Sequence, residues 1–207
     1  MVLSATGCAD KATEAVTSTT ESVTTTVTAP SSRVAPTSAP PTAEGSAFDV
    51  ESVPLAQDLP GTFPYFTLPA GFENPNRDEP VRPRDRVPIW TGDRLEWVIG
   101  KVSQSYIHAD EDHAFSKFAL IDAIDTEVAA AGGSKITESK VPEELVDTID
   151  EDLLVGFNAG LGGIYSQTVN TYLIRTEDRR VWIHLTADSA SGHWLIAEEL
   201  IETTTTK

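Results

Sequence analysis

Four histidines, a pair of closely spaced serines and a single cysteine carry most of the chemistry this 207-residue chain could perform. His108 and His113 bracket Asp110, Glu111 and Asp112 in HADEDH, a dense set of imidazoles and carboxylates, both ordinary ligands for zinc or manganese. The spacing matches neither an H-E-x-x-H helix nor a calcium loop with its glycine and terminal glutamate. The stretch lies between an expected strand and an expected helix, where acidic groups face helix amide donors. It is read as a solvated acidic loop, with no metal and no cofactor. SASGH supplies Ser189, Ser191 and His193 within one turn, and His184 lies nearby in sequence. A hydrolase would need such groups gathered with a carboxylate, and no G-x-S-x-G elbow is present. The glycines of GFNAGLGGIY follow a helix rather than link a strand to one, so they are read as ending that helix, not as cradling phosphate. The expectation is a protein without catalytic residues. A small hydrolase using Ser189 or Ser191 stays open as an alternative.

Two groups of side chains are candidates for contact with a partner. RDEPVRPRDRVPIW interleaves Arg77, Arg82, Arg84 and Arg86 with Asp78, Glu79 and Asp85. Arg82, Arg84 and Arg86 could meet an anionic surface; the alternative is internal ion pairing. In VWIHLTAD, if Val181, Ile183 and Leu185 face the core, Trp182 and His184 point the other way. Trp182 and Trp194 would then share a face with Tyr172, an aromatic row that either covers a partner or packs under a helix.

The charge balance narrows the partner classes. Acidic residues number 32 against 15 basic ones, a formal charge of -17, which repels nucleic-acid backbones and disfavours adhesion to anionic lipid by charge alone. No apolar run approaches the length of a transmembrane helix. One cysteine excludes an intramolecular disulfide.

That cysteine, Cys8, follows Val2, Leu3, Ser4, Ala5, Thr6 and Gly7. Small residues directly before a cysteine resemble the processing site of bacterial lipoproteins, where the thiol is acylated, as with palmitate, and becomes the first residue. The charged and apolar parts of a leader are short or missing, so residues 1–8 are read as the remnant of a signal peptide with its lipidation site. Residues 9–46 are dominated by Thr, Ser, Pro and Ala, a composition that predicts a disordered linker stiffened by proline. A lipidated cysteine followed by a polar leash is what a tethered domain needs; the alternative is a ragged N-terminal tail with an inert cysteine.

Residues 47–201 carry the folded domain, and 202–207 read as a frayed tail or the start of another linker. Residues 47–92 are read mostly as ordered loop, with PYFTLPAGF as an edge strand between prolines. RLEWVIGKVSQSYIHA predicts a long strand bent at Gly100. Phe118, Ile121, Ile124, Val128 and Ala131 recur at helical steps, with Ser116 as cap and Gly132 and Gly133 as stop. A short strand follows at Lys135 to Glu138. A second helix starts at Pro142 and presents Leu145, Ile149, Leu153 and Phe157. Three strands joined by hairpin turns finish the domain. The fold class is α+β, a two-layer sandwich of a mixed or mostly antiparallel sheet with two helices on one face, preceded by a disordered tail.

YFTLPAGFENPNRDEPVR, RVPIWTGDRLEWVIGKVSQSYIHADE, FSKFALIDAI with AGGSK, and NAGLGGIYSQTVNTYLIRTEDRRVWIHLTADSASG resemble the N-terminal module of bacterial OmpA-family envelope lipoproteins, over residues 60–198. In that family the module precedes a peptidoglycan-binding domain. Here the sequence stops at Lys207, where that domain would begin, so no wall-binding residue carries over and no catalytic residue is implied. The resemblance implies an outer-membrane lipoprotein facing the periplasm. The expected function is non-enzymatic: a module tethered through Cys8, contacting envelope protein or cell-wall material. The alternative is a soluble periplasmic ligand-binding module with a cleft near the C-terminal strands.

Overall fold

Apolar residues in the last third of the chain occupy both parities of each strand, and a sheet built from such strands must be covered on both sides. The computed structural model, which describes residues 47–201, has that arrangement. The elements are β1 (Phe72–Glu73), β2 (Arg82–Trp90), β3 (Leu95–Ala109), α1 (Lys117–Ala130), β4 (Ser134–Ser139), α2 (Glu143–Val146), α3 (Glu151–Gly156), α4 (Asn158–Leu161), β5 (Val169–Arg175), β6 (Arg179–Ala187) and β7 (Gly192–Leu200). All strand pairings are antiparallel, in the order β1-β3-β7-β6-β5-β4, with β2 also on β3. The α+β class and the mostly antiparallel sheet agree with the sequence reading. The Cys8 region, the linker expected over 9–46 and the tail at 202–207 lie outside the described residues.

The helices are not on one face. Leu120, Ile124 and Val128 of α1 pack with Tyr172, Ile183 and Ile196. Val146 of α2, Leu154 of α3 and Leu161 of α4 pack with Leu173, Trp182 and Leu195, the alternate residues of the same strands. The result is three layers rather than two. The second face is concave. The sheet curls until β2 nears β4, and the Trp90 indole donates to the Ser139 hydroxyl at 2.9 Å. Trp182 fills the hollow, with Phe48 edge-on against it. An arm ahead of the sheet closes the rim. The Arg175 guanidinium donates to the carbonyls of Glu51 and Val53 at 2.9 and 2.8 Å, and the Phe48 amide donates to Asp93 at 3.0 Å.

Local rules account for most of the differences from expectation. Ser116 caps α1 as predicted, accepting from the Ala119 amide. The stripe holds at Ile121, Ile124, Val128 and Ala131, but at its start Leu120 is buried in place of Phe118, which is 70% exposed. The second helix breaks into three because Asp150 accepts from the Asp152 and Leu153 amides and so starts a new helix in mid-segment. PYFTLPAGF is mainly loop, only Phe72 of it lying in a strand, whereas RPRDRVPIW forms β2 despite two prolines. β2 has a partner on one side only, which is where proline is tolerated in a sheet.

Candidate functional site

The loop between the arm and β1 lies across the α1 side of the sheet near β3 and β7. Alternation puts Ser103 and Ser105 of β3 beside Ile196 and Trp194 of β7, each pair in register. These four residues floor a groove of about 450 Å³. Pro64, Phe66 and Leu68 form one wall; Phe72, Glu73 and Asn74 form the other, and Asp78 and Glu79 complete an acidic rim. Phe66 and Trp194 are buried, so the groove is apolar at depth, hydroxyl-lined along β3 and anionic at its mouth. Such a combination orients a ligand through a few polar groups over an apolar base. A second hollow, of about 500 Å³, lies behind Phe66 and Thr67 beside the end of α1. Burial pushes the carboxyl of Glu127, in its wall, above its ordinary value.

The loop is fastened by a charged cluster at its far end. Tyr65, in left-handed backbone at φ 70°, donates its hydroxyl to Glu198. The Glu198 carboxylate is 1% exposed and also receives Lys101 Nζ at 2.9 Å and an Arg179 guanidinium nitrogen at 3.2 Å. Burial pushes this carboxyl up, but the Lys101 and Tyr65 hydrogen bonds and the two cations outweigh it and hold it below its ordinary value. Burial and then Glu198 raise the Tyr65 hydroxyl, so it stays protonated as the donor. The sequence carries a readable sign of this cluster. Trp194, Ile196 and Glu198 share one parity of β7, which places a carboxylate on an inward face.

The five side chains expected to meet a partner do not form one surface. Arg82 turns inward: it donates to Asp85 at 3.1 Å and to the Gly156 carbonyl, and lies 4.1 Å over the Phe157 ring. It holds α3 to β2 and is engaged within the fold. Arg86 is exposed and lies 3.9 Å over Trp97. Arg84 is exposed beside Ile99 and Leu200. Trp182 belongs to the concave core and Trp194 to the opposite face with Tyr172, so the expected aromatic row does not exist and Trp182 cannot meet a partner. Of the five, Trp194 alone lines the groove.

The candidate chemical groups are likewise apart. In HADEDH, Asp110 accepts from the Asp112 amide and pairs with His113 at 2.5 Å, closing a turn. Ser191 is held to Asp188, whereas the His193 ring meets the Asn158 carbonyl at 3.1 Å on the concave side. The Ser–His pairing of a hydrolase is therefore not assembled among the described residues. Gly160 does more than end a helix. A side chain there would sit 2.8 Å from the Leu195 Cβ and 2.9 Å from the Gln104 Cβ. Its absence lets Gln104 bridge α3 and α4, donating to the Gly156 carbonyl and accepting from the Gly160 amide.

His184 is wholly buried on the concave face, opposite Thr171 and Leu195, with neither ring nitrogen hydrogen-bonded. Burial, with a smaller push from His193, lowers its pKa to about 3 from the usual 6.5. Between those values the unfolded chain binds the proton and the folded chain does not, so stability falls as pH falls from 6.5. His184→Leu should remove about 2 kcal/mol of the loss that wild type suffers between pH 7 and pH 5. Urea melts of both proteins at the two pH values measure it; equal losses would refute the assignment. The depressed carboxylates act at lower pH, and His193 is present in both proteins.

No helix among the described residues is long and apolar enough to cross a membrane, a statement that leaves strand-built barrels aside. The chain matches no family model, no curated protein and no solved structure.

Proposed function

We propose that this chain is a non-enzymatic envelope lipoprotein module, anchored by acyl chains on Cys8 and using the groove over β3 and β7 to hold an envelope protein or cell-wall material. The groove is the observation that carries the reading: an apolar floor, paired serines and an acidic mouth beside one open stretch of sheet. The anchoring half rests on the small residues before Cys8, the Thr/Ser/Pro-rich leash behind it and the likeness to OmpA-family lipoproteins. Two acyl chains hold a protein on a membrane where one does not. The non-catalytic half draws support from the histidines: His184 is sealed in the core, and His113 and His193 are engaged with Asp110 and Asn158.

A second reading, a soluble periplasmic binding module, uses the same groove, favoured by Trp194 and Ile196 of the last strand on its floor. Fractionation of the native cell separates the two. Wild type is expected in the membrane fraction with its N-terminal mass raised by acyl chains, and Cys8→Ala in the soluble extract. Identical partition of the two proteins would remove the anchor. For the groove, a photo-crosslinking residue at Thr67, on its wall, should form an adduct in cells; the same residue at exposed Phe118 is the control. Equal adducts from both positions would remove the groove from the account.

A further inference from the structure

The edge of β3 that carries β1 and β2 has a strand along it except for one short stretch. On one side, β7 runs opposite Lys101–Ile107. On the other, β2 ends where Arg82 faces Val102, and β1 lies where Glu73 faces His108. The five residues 103–107 between those registers have no strand beside them on that edge. β1 and β2 run in the same direction along β3, as two pieces of one interrupted edge strand. Eight residues, 74–81, join the pieces where five would match β3, and Pro75 and Pro80 have no N–H to give to a ladder. The connecting chain therefore leaves the edge. The groove occupies the space it vacates, with Asn74, Asp78 and Glu79 on its outer side and Ser103, Gln104 and Ser105 on its inner side. Alternate residues of an antiparallel strand turn both N–H and C=O toward the same edge. An uncovered stretch of this kind is a template for another strand.

We propose that the gap accepts an extended basic segment of another envelope protein, added as a strand between β1 and β2 and hydrogen-bonded to residues 103–107 of β3. This rests on the groove-binding reading above and supplies the chemistry of the partner. The gap is roughly 17 Å long, room for five extended residues. Side chains on one face of the added strand meet Phe66, Phe72 and Trp194, so they are apolar. The mouth is lined by Glu73, Asp78 and Glu79, so residues pointing outward are Lys or Arg; Arg77 of the same loop is not in the groove wall. The chain's own N-terminal segment does not fit, since Lys11 and Arg33 there are outnumbered by Asp10, Glu14, Glu21 and Glu44. A second copy would bring a net charge of -17 to an acidic mouth.

The test uses the full chain and a capped peptide alternating Lys and Val. Binding should slow amide exchange of the edge-facing residues among 103–107 by about tenfold or more, with little change in β5 and β6. Methylating alternate peptide nitrogens should weaken binding by about tenfold or more, because each methyl removes a ladder donor. Glu in place of Lys should abolish it, and D78K/E79K should weaken the Lys peptide while leaving the thermal midpoint unchanged. Slowing confined elsewhere, or equal affinity of the methylated peptide, would overturn strand addition. If the Lys peptide fails while the Thr67 adduct still forms in cells, the groove reading stands and strand addition is wrong. If both fail, both fall.

Discussion

Gly100→Ala is expected to destabilise the protein by about 3 kcal/mol or more, among the largest effects of any single methyl group in this fold. Gly100 lies in β3 between two strands, facing Asp85 of β2 on one side and the end of β7 on the other. A Cβ there would overlap the Glu198 carbonyl oxygen, 2.7 Å from its carbon and 3.2 Å from the Glu199 Cα. These are backbone atoms in a ladder, so no side chain can swing aside to make room. Either β7 moves off β3 or the strand rotates at this point, and both disrupt pairs on which Lys101 and Glu198 depend. Urea unfolding at pH 7 measures the cost. A midpoint within experimental error of wild type would mean that the strands part at this point without loss.

The second large effect concerns Glu198. Removing both cations, in Lys101→Met/Arg179→Met, leaves a carboxylate that is 1% exposed with only the Tyr65 hydroxyl beside it. An uncompensated buried charge of this kind costs about 3–5 kcal/mol. Lys101 and Arg179 are themselves partly exposed, at 47% and 31%, so their own desolvation is small; the buried share of the loss falls on Glu198, while Arg179 also gives up its bonds to Asp178 at the surface. The pH dependence separates this from lost packing. In wild type the folded pKa is depressed below the ordinary 4.5, so the contribution is present above 4.5 and is lost as pH falls through the folded value. In the double variant burial acts almost alone and raises the folded pKa. The sign inverts: the variant is penalised at pH 7 and recovers as pH falls toward 4.5. Adding Glu198→Gln should restore most of the stability at pH 7, since it removes the charge and keeps the shape. A deficit that is the same at pH 7 and pH 5 and is not relieved by Glu198→Gln would mean that the cations act through packing alone. The cluster also fastens Tyr65, so loosening it should reduce the Thr67 adduct together with stability.

Much of the local structure was legible in the residues. The three C-terminal strands, the long β3, α1 with its Ser116 cap, and β4 follow from periodicity and caps, which depend on neighbours a few positions apart. The acidic charge follows from composition. Short-range pattern failed where a competing local rule intervened: Asp150 restarts a helix, and two prolines hide an edge strand. The number of layers failed for a different reason. Two helices on one face presumes strands with a single core face, whereas strands apolar on both parities require covers on both.

What the sequence determined by itself, then, is the strand or helix character of most segments, because side-chain alternation, helix hydrogen bonds and caps are local. The tertiary structure alone decided that Trp182 and Trp194 look to opposite sides, that Arg82 is spent inside the fold, and that Glu198 is neutralised by residues far from it in the chain. It alone decided that the edge of β3 shared by β1 and β2 keeps an uncovered stretch between them. That gap is the mismatch between an eight-residue connection and the five residues it passes, and a mismatch between two segments exists only once the strands have been set in register.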